Sequence, residues 1–151
     1  MPQTTDQMNF REAEVYISTG AGFTGMCGIM VAVAVSGGER MVGEEFTFCG
    51  DTPILVGGKR NPLDVTVRYV YTEQDDDPFE LVRAQYETDG GGDLFIKWSP
   101  KGGDATEFEF ETDENNSVLT GFTYPQGEAR SPDITLCELT VRTASITKSE
   151  V

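Results

Sequence analysis

Along this chain, apolar residues recur mostly at every second position, the period of a strand with one buried face. The clearest run is Leu63, Val65, Val67, Tyr69 and Tyr71, alternating with Asp64, Thr66, Arg68 and Val70. Val15 and Ile17 mark a short strand over Glu14 to Ser18, and Leu94 to Trp98 starts another. Glu107 to Glu111 alternates strictly, so Phe108 and Phe110 are expected inside and three carboxylates outside. Val118 to Tyr124 and Ile134 to Thr143 complete the set. In the last, Cys137, Leu139 and Val141 oppose Glu138, Thr140 and Arg142. Ile29 to Val35 differs: it is apolar on both faces, which predicts a strand covered on both sides. In a sandwich it would be central. In an oligomer its smaller face, Met30, Ala32 and Ala34, could meet another subunit.

One stretch carries helix signals. Asp75, Asp76 and Asp77 stop the preceding strand, Asp77 can cap exposed amides, Pro78 suits the first helical position and Glu80 can close a capping box. A helix is expected over about Pro78 to Glu87, with Phe79, Val82, Ala84 and Tyr86 as its buried side and Arg83, Gln85 and Glu87 outward. Gly90, Gly91 and Gly92 end it. The fold class is therefore mainly β, a β-sandwich or partial barrel of antiparallel strands with one short flanking α-helix.

The expected layout is an N-terminal arm over 1–12 and a single domain over 13–151. Within it lies a long stretch, 37–62, of little regular pattern. Gly37-Gly38 and Gly57-Gly58 bracket most of that stretch, and Phe46, Phe48, Ile54, Leu55 and Val56 sit inside. Connections this long tend to be functional, and these apolar side chains would be wasted on solvent. They are inter-subunit candidates together with Phe10 of the arm. A further hairpin in the same sheet is the other reading, compatible with the first. Gly20 to Gly28 reads as a loop, and Ala144 to Val151 as a polar tail with Ile146 as an anchor.

Charge narrows the function. The chain has 26 Asp and Glu against 11 Lys and Arg, a net charge of -15. Such a surface repels DNA, RNA and anionic lipid. The apolar run Ile29 to Val35 is too short to span a bilayer, so membrane insertion is not expected. The three cysteines, Cys27, Cys49 and Cys137, are widely spaced in apolar or strand-like contexts and read as buried free thiols.

Catalytic and cofactor signals are missing. The chain has no histidine, which removes the commonest general base and metal ligand. Gly20-Ala21-Gly22-Phe23-Thr24-Gly25 matches a dinucleotide fingerprint literally, but no helix follows to hold a pyrophosphate. Gly57-Gly58-Lys59 lacks both the upstream glycine and the downstream Ser or Thr of a phosphate loop. Asp75, Asp76 and Asp77 lack calcium-loop spacing and are explained by capping and solvation. Trp98 with Phe95 could be a stacking platform, yet core or interface packing fits an acidic chain better. No catalytic, metal or cofactor residue is assigned, and no enzymatic activity is expected.

The run Leu63 to Glu73, then Asp77-Pro78-Phe79-Glu80 with its helix, then Leu94 to Gly103 with Trp98-Ser99-Pro100-Lys101-Gly102-Gly103, resembles major tail tube proteins of long-tailed bacteriophages. The ending, Phe122-Thr123-Tyr124-Pro125 through to Ile146-Thr147-Lys148-Ser149, is similar too. The likeness covers roughly Ser36 onward, a pattern of strands, turns and length. It implies a subunit of stacked, six-membered rings whose inner sheets join into one barrel around a lumen. It implies a place in a virion tail assembled in the host cytoplasm. The partners would be further copies of itself, tape-measure and tail-completion proteins, and genomic DNA passing without specific binding. An acidic lumen would keep phosphate from sticking within a Debye length of roughly 8 Å. Glu107, Glu109 and Glu111, with Asp64 and Glu138 behind them, are the lumen candidates. Strand alternation equally allows them to face bulk solvent. A related secretion or contractile-injection tube, a monomeric ligand- or carbohydrate-binding sandwich, and an acidic hydrolase are the alternatives.

Overall fold

The computed structural model describes residues 10–20, 22–26, 28–73, 78–88, 92–102 and 107–150. A 3-10 turn, Phe10–Glu12, leads into β1 (Glu14–Ser18), β2 (Phe23–Gly25) and β3 (Met30–Gly37). Then come β4 (Arg40–Glu45), β5 (Ile54–Arg60), β6 (Leu63–Val70), the helix α1 (Pro78–Tyr86) and β7 (Phe95–Ser99). The chain ends with β8 (Phe108–Thr112), β9 (Ser117–Phe122), β10 (Leu136–Thr143) and β11 (Ile146–Glu150). One antiparallel sheet has five strands in the order β11-β8-β7-β1-β2. A second has four, in the order β3-β6-β10-β9, while β4 and β5 pair only with each other. Among the described residues the fold is mainly β with one α-helix, and no barrel is closed.

The two larger sheets bury their facing sides against each other. Alternation decides which residues go in: Val65, Val67 and Tyr69 of β6 and Cys137, Leu139 and Val141 of β10 from one sheet. Val15, Ile17, Ile96 and Trp98 come from the other. Antiparallel register aligns the two sets, with Val67 opposite Leu139 and Ile17 opposite Ile96. Helix α1 adds Phe79 and Val82 to this core. Phe79 meets Tyr71 edge-on at 4.9 Å and Phe122 at 5.4 Å. Ala84 and Tyr86, expected inside, are exposed. At 100° per residue Ala84 lies well around the helix from Phe79 and Val82, and Tyr86 only leans its ring on Phe122. Arg83 ties the outer face by ion pairs of 2.7 Å to Glu80 and 3.0 Å to Glu87.

Several expectations change. β3 is an edge strand of its sheet, with most of its residues exposed. Its two apolar faces did not mean two layers of this chain. Residues 146–150 form β11, a polar strand held by pairing with β8. Phe108 is half exposed and lies under the Lys148 ammonium at 4.2 Å, because it sits at the open end of β8. Cys49 is exposed, whereas Cys137 is buried as expected. The short strand β2 occupies part of the glycine-rich stretch.

The stretch 37–62 is a hairpin, but it belongs to neither larger sheet. Gly37 and Gly38 both have left-handed backbone, with φ of 80° and 76°. A Cβ on Gly37 would stand 2.8 Å from the Pro62 carbonyl oxygen, and one on Gly38 2.6 Å from Leu63 Cδ2. Both conformation and space therefore demand glycine here. This pair is where the chain leaves the sandwich and becomes a free ribbon.

Candidate assembly surfaces

The ribbon β4–β5 has no buried residue along either strand. Its register pairs Glu45 with Ile54, Glu44 with Leu55, Gly43 with Val56 and Val42 with Gly57. Directly opposed residues share a face, so Val42 and Leu55 lie on one side and Ile54 and Val56 on the other. All four are more than half exposed. At the tip Phe46 is 59% exposed and Phe48 completely so. Apolar side chains thus stand on both faces of this two-stranded ribbon, and no described residue buries either face. Charge is divided along it: Arg40, Lys59 and Arg60 stand at the base, and Glu44, Glu45 and Asp51 toward the tip. Arg40 Nη1 donates to the Gly58 carbonyl at 2.9 Å and stiffens the base.

The four-stranded sheet has two edge strands without a charged residue, Met30–Gly37 of β3 and Ser117–Phe122 of β9, but only β3 is open along its length among the described residues; on β9, Val118 is bridged by Asp93 and the Leu119 amide donates to the Gly92 carbonyl at 2.6 Å. Exposed edges of monomeric sheets are normally blunted by Lys, Pro or very short strands. The five-stranded sheet is blunted in that way. One edge is the three-residue β2, and the other, β11, carries Lys148 and Glu150.

The predicted carboxylates are not brought together. Glu109 and Glu111 lie on the outer face of the five-stranded sheet, where Glu111 is paired with Lys97 and Thr147, and Glu107 precedes that strand. The Lys97 ammonium is 3.9 Å from Glu109 and 4.3 Å from the Phe23 ring centroid. Asp64 and Glu138 lie on the outer face of the other sheet, across the sandwich. There Asp64 accepts from Arg142 Nε at 3.0 Å, and Glu138 is paired in register with Arg68. Thr66 and Thr140 meet between them at 3.3 Å. One outer face is thus acidic around a single lysine, and the other alternates in sign.

Glu111 is the most perturbed of these groups. Burial raises its pKa first, then a hydrogen bond and the charge of Glu114, with Glu109 adding and Lys97 opposing. Its Oε1 is buried without a hydrogen-bond partner among the described residues. An acid whose folded pKa is raised costs stability once pH exceeds its ordinary value, and the full cost is present above the raised value. Glu111→Gln is therefore expected to melt higher than the parent at pH 7. The gain should vanish near pH 4, where the parent is also protonated. Thermal melts across that range check it, and a gain that persists at pH 4 would point to packing instead.

The remaining readings reduce to structure. Trp98 is 6% exposed and stacks on Phe110 at 5.7 Å, so it is core and offers no platform. Among the described residues, no three His, Cys, Asp or Glu group as metal ligands, and no helix is long and apolar enough to cross a membrane. The acidic run Asp75 to Asp77, the first nine residues of the arm, Cys27, and Gly90 and Gly91 lie outside the described residues.

No family model and no curated protein matches the chain. Solved structures match its fold over nearly its whole length. A chain of the PVC sheath-tube complex, an extracellular contractile injection system in its extended state, aligns with a TM-score of 0.69 at 15% identity, covering 97% of this chain and 94% of that one. A chain of the anti-feeding prophage tube-terminating cap gives 0.64 at 13%, covering 100% and 96%. A chain from the tail of an empty gene transfer agent particle, refined with C6 symmetry, gives 0.66 at 17%, covering 96% and 99%. At these identities the shared property is the fold, one found in tube-bearing injection systems and tail particles.

Proposed function

We propose that this chain is a structural subunit of a phage-like tail or injection tube, with no catalytic role. Copies join side by side into rings, and rings stack into a hollow tube. The observation that carries this reading is the ribbon Arg40–Arg60, whose strands expose apolar side chains on both faces while the rest of the sandwich closes a normal core. Six copies per ring is the number suggested by the C6 symmetry of the gene transfer agent tail. The uncharged open edge of β3, with residues 120–122 of β9 beyond its bridge to Asp93, makes the four-stranded sheet the one that continues from copy to copy, since pairing these edges between copies covers them.

That choice revises the lumen. If the four-stranded sheet forms the inner wall, Asp64 and Glu138 face the bore together with Arg142, Arg68, Thr66 and Thr140. Glu107, Glu109 and Glu111 then lie on the outside. The wall is a pattern of opposed charges whose field decays within a few ångströms of it, not an acidic sleeve. Such a wall holds polyanions weakly, which suits passage of DNA and equally of a polypeptide. Tape-measure and tail-completion proteins would be the partners within the bore and at the tube's ends, in a virion tail or injection particle.

Negative-stain electron microscopy of the purified protein across concentration and salt tests the reading. Stacked rings or hollow tubes are expected, and more of them at high salt, which screens the net charge of -15. Small monodisperse particles in every condition, even after seeding with tube fragments, would overturn it.

A further inference from the structure

The five-stranded sheet carries a clasp across its short edge. Register sets one row on its outer face: Thr147 of β11, Glu111 of β8, Lys97 of β7, Tyr16 of β1 and Gly25 of β2. From the middle of that row Lys97 reaches both ways. Its ammonium is 4.3 Å from the Phe23 ring centroid and 5.2 Å from that of Tyr16. On the other side the Glu109 carboxylate is 3.9 Å away. One side chain thus ties its own strand to β8, β1 and β2. Tyr16 is held in turn. Its hydroxyl donates to Glu14 at 2.6 Å, and a Cβ on Gly25 would stand 3.4 Å from its ring. The Lys97 side chain is only 23% exposed, and cation–ring attraction strengthens as water is excluded.

β2 needs such a hold. It has three residues and a single backbone neighbour, β1. Its C-terminal end runs into Met26, which is buried in the core and whose amide donates to the Val15 carbonyl at 2.8 Å. Its other end is Phe23, 40% exposed, with the Lys97 ammonium over the ring. If β2 lifted away, the edge of the sheet would be β1, Glu14-Val15-Tyr16-Ile17-Ser18. That run is rich in β-branched and aromatic residues, and its bare amides and carbonyls would pair with any strand that met them.

We propose that Lys97 determines which sheet takes part in assembly. Held by the Phe23 and Tyr16 rings and by Glu109, it locks β2 over β1 and confines copy-to-copy strand pairing to the four-stranded sheet. What is confined rests on the tube reading; the locking of β2 does not.

Two variants of the full chain test it by different routes. Lys97→Met removes the ammonium, and Phe23→Ser removes a ring while leaving every charge in place. In dilute protein each should speed hydrogen exchange in β1 and β2 about tenfold, the combined worth of the ring contacts and one ion pair, with the rest of the sandwich unchanged. Lys97→Arg, which keeps both kinds of contact, should exchange like the parent. Under assembly conditions Lys97→Met and Phe23→Ser should give irregular, thioflavin-binding aggregates beside the tubes, and Lys97→Arg should give tubes alone. Parental exchange in β1 and β2 in both variants would overturn the clasp. Faster exchange with parental tubes and no aggregates would overturn its part in assembly. If the parent itself forms no tubes, the tube reading fails, and the exchange rates still decide whether Lys97 locks β2.

Discussion

Val56→Asp is expected to leave the subunit folded and to reduce the assembled fraction at least tenfold. Val56 is 63% exposed on the ribbon and is not part of the core cluster, so the change should cost the monomer within about 0.5 kcal/mol. In the proposed stack the same position is covered. An unpaired carboxylate buried in a contact costs about 3–5 kcal/mol, and each 1.4 kcal/mol is tenfold in affinity. The effect recurs at every contact along the tube. Light scattering against concentration reads the loss, and a melt of the dilute protein reads the fold. Tubes of parental abundance with aspartate at this position would show that the ribbon is not an interface.

Trp98→Ala should act on the opposite balance, damaging the fold itself. Trp98 pairs with Val15 in register, is nearly fully buried and stacks on Phe110 with 21° between ring planes. Removing a buried tryptophan costs about 3–5 kcal/mol, because the surroundings collapse only partly into the space. For a domain of this size about 2–4 °C of melting temperature accompanies each kcal/mol, so a drop of roughly 6–20 °C is expected. A loss under ~1 kcal/mol by denaturant titration would contradict its place in the core. The pair of variants separates the two kinds of apolar surface here, one closed in the core of this chain and one exposed on the ribbon.

That separation also explains which elements were legible in the residues. Glu14–Ser18 and the run from Leu63 alternate cleanly because each has one face in the core and one in water. The start of α1 was readable because Pro78 and Glu80 occupy fixed capping positions. β3 was readable as a strand, but its place was not. Val31, Ala32, Val33 and Ala34 are apolar on both sides, and sequence does not say whether a neighbour is the same chain or another copy. The ribbon defeated periodicity for the same reason, with Gly43, Gly57 and Gly58 interrupting it further. β11 was invisible because Thr147, Lys148 and Ser149 join the sheet through backbone pairing, which leaves little trace in side-chain type. Alternation placed Glu109, Glu111, Asp64 and Glu138 on outer faces correctly. It had no means of showing that these faces belong to two different sheets, a matter of long-range pairing.

The isolation of the ribbon from both larger sheets bears on growth kinetics. Two strands without a third and without a covering layer are marginal in water. The ribbon therefore sits at the low end of local stability, opening far more often than the sandwich that carries it. Two free subunits meeting in solution must order two such ribbons at once, against the repulsion of two chains that each carry -15. In the proposed tube, a subunit arriving at an existing end meets a surface already fixed by the layer beneath. Polymerisation of the proposed kind is then expected to start slowly and continue fast, so that the number of tubes follows how many starting platforms exist.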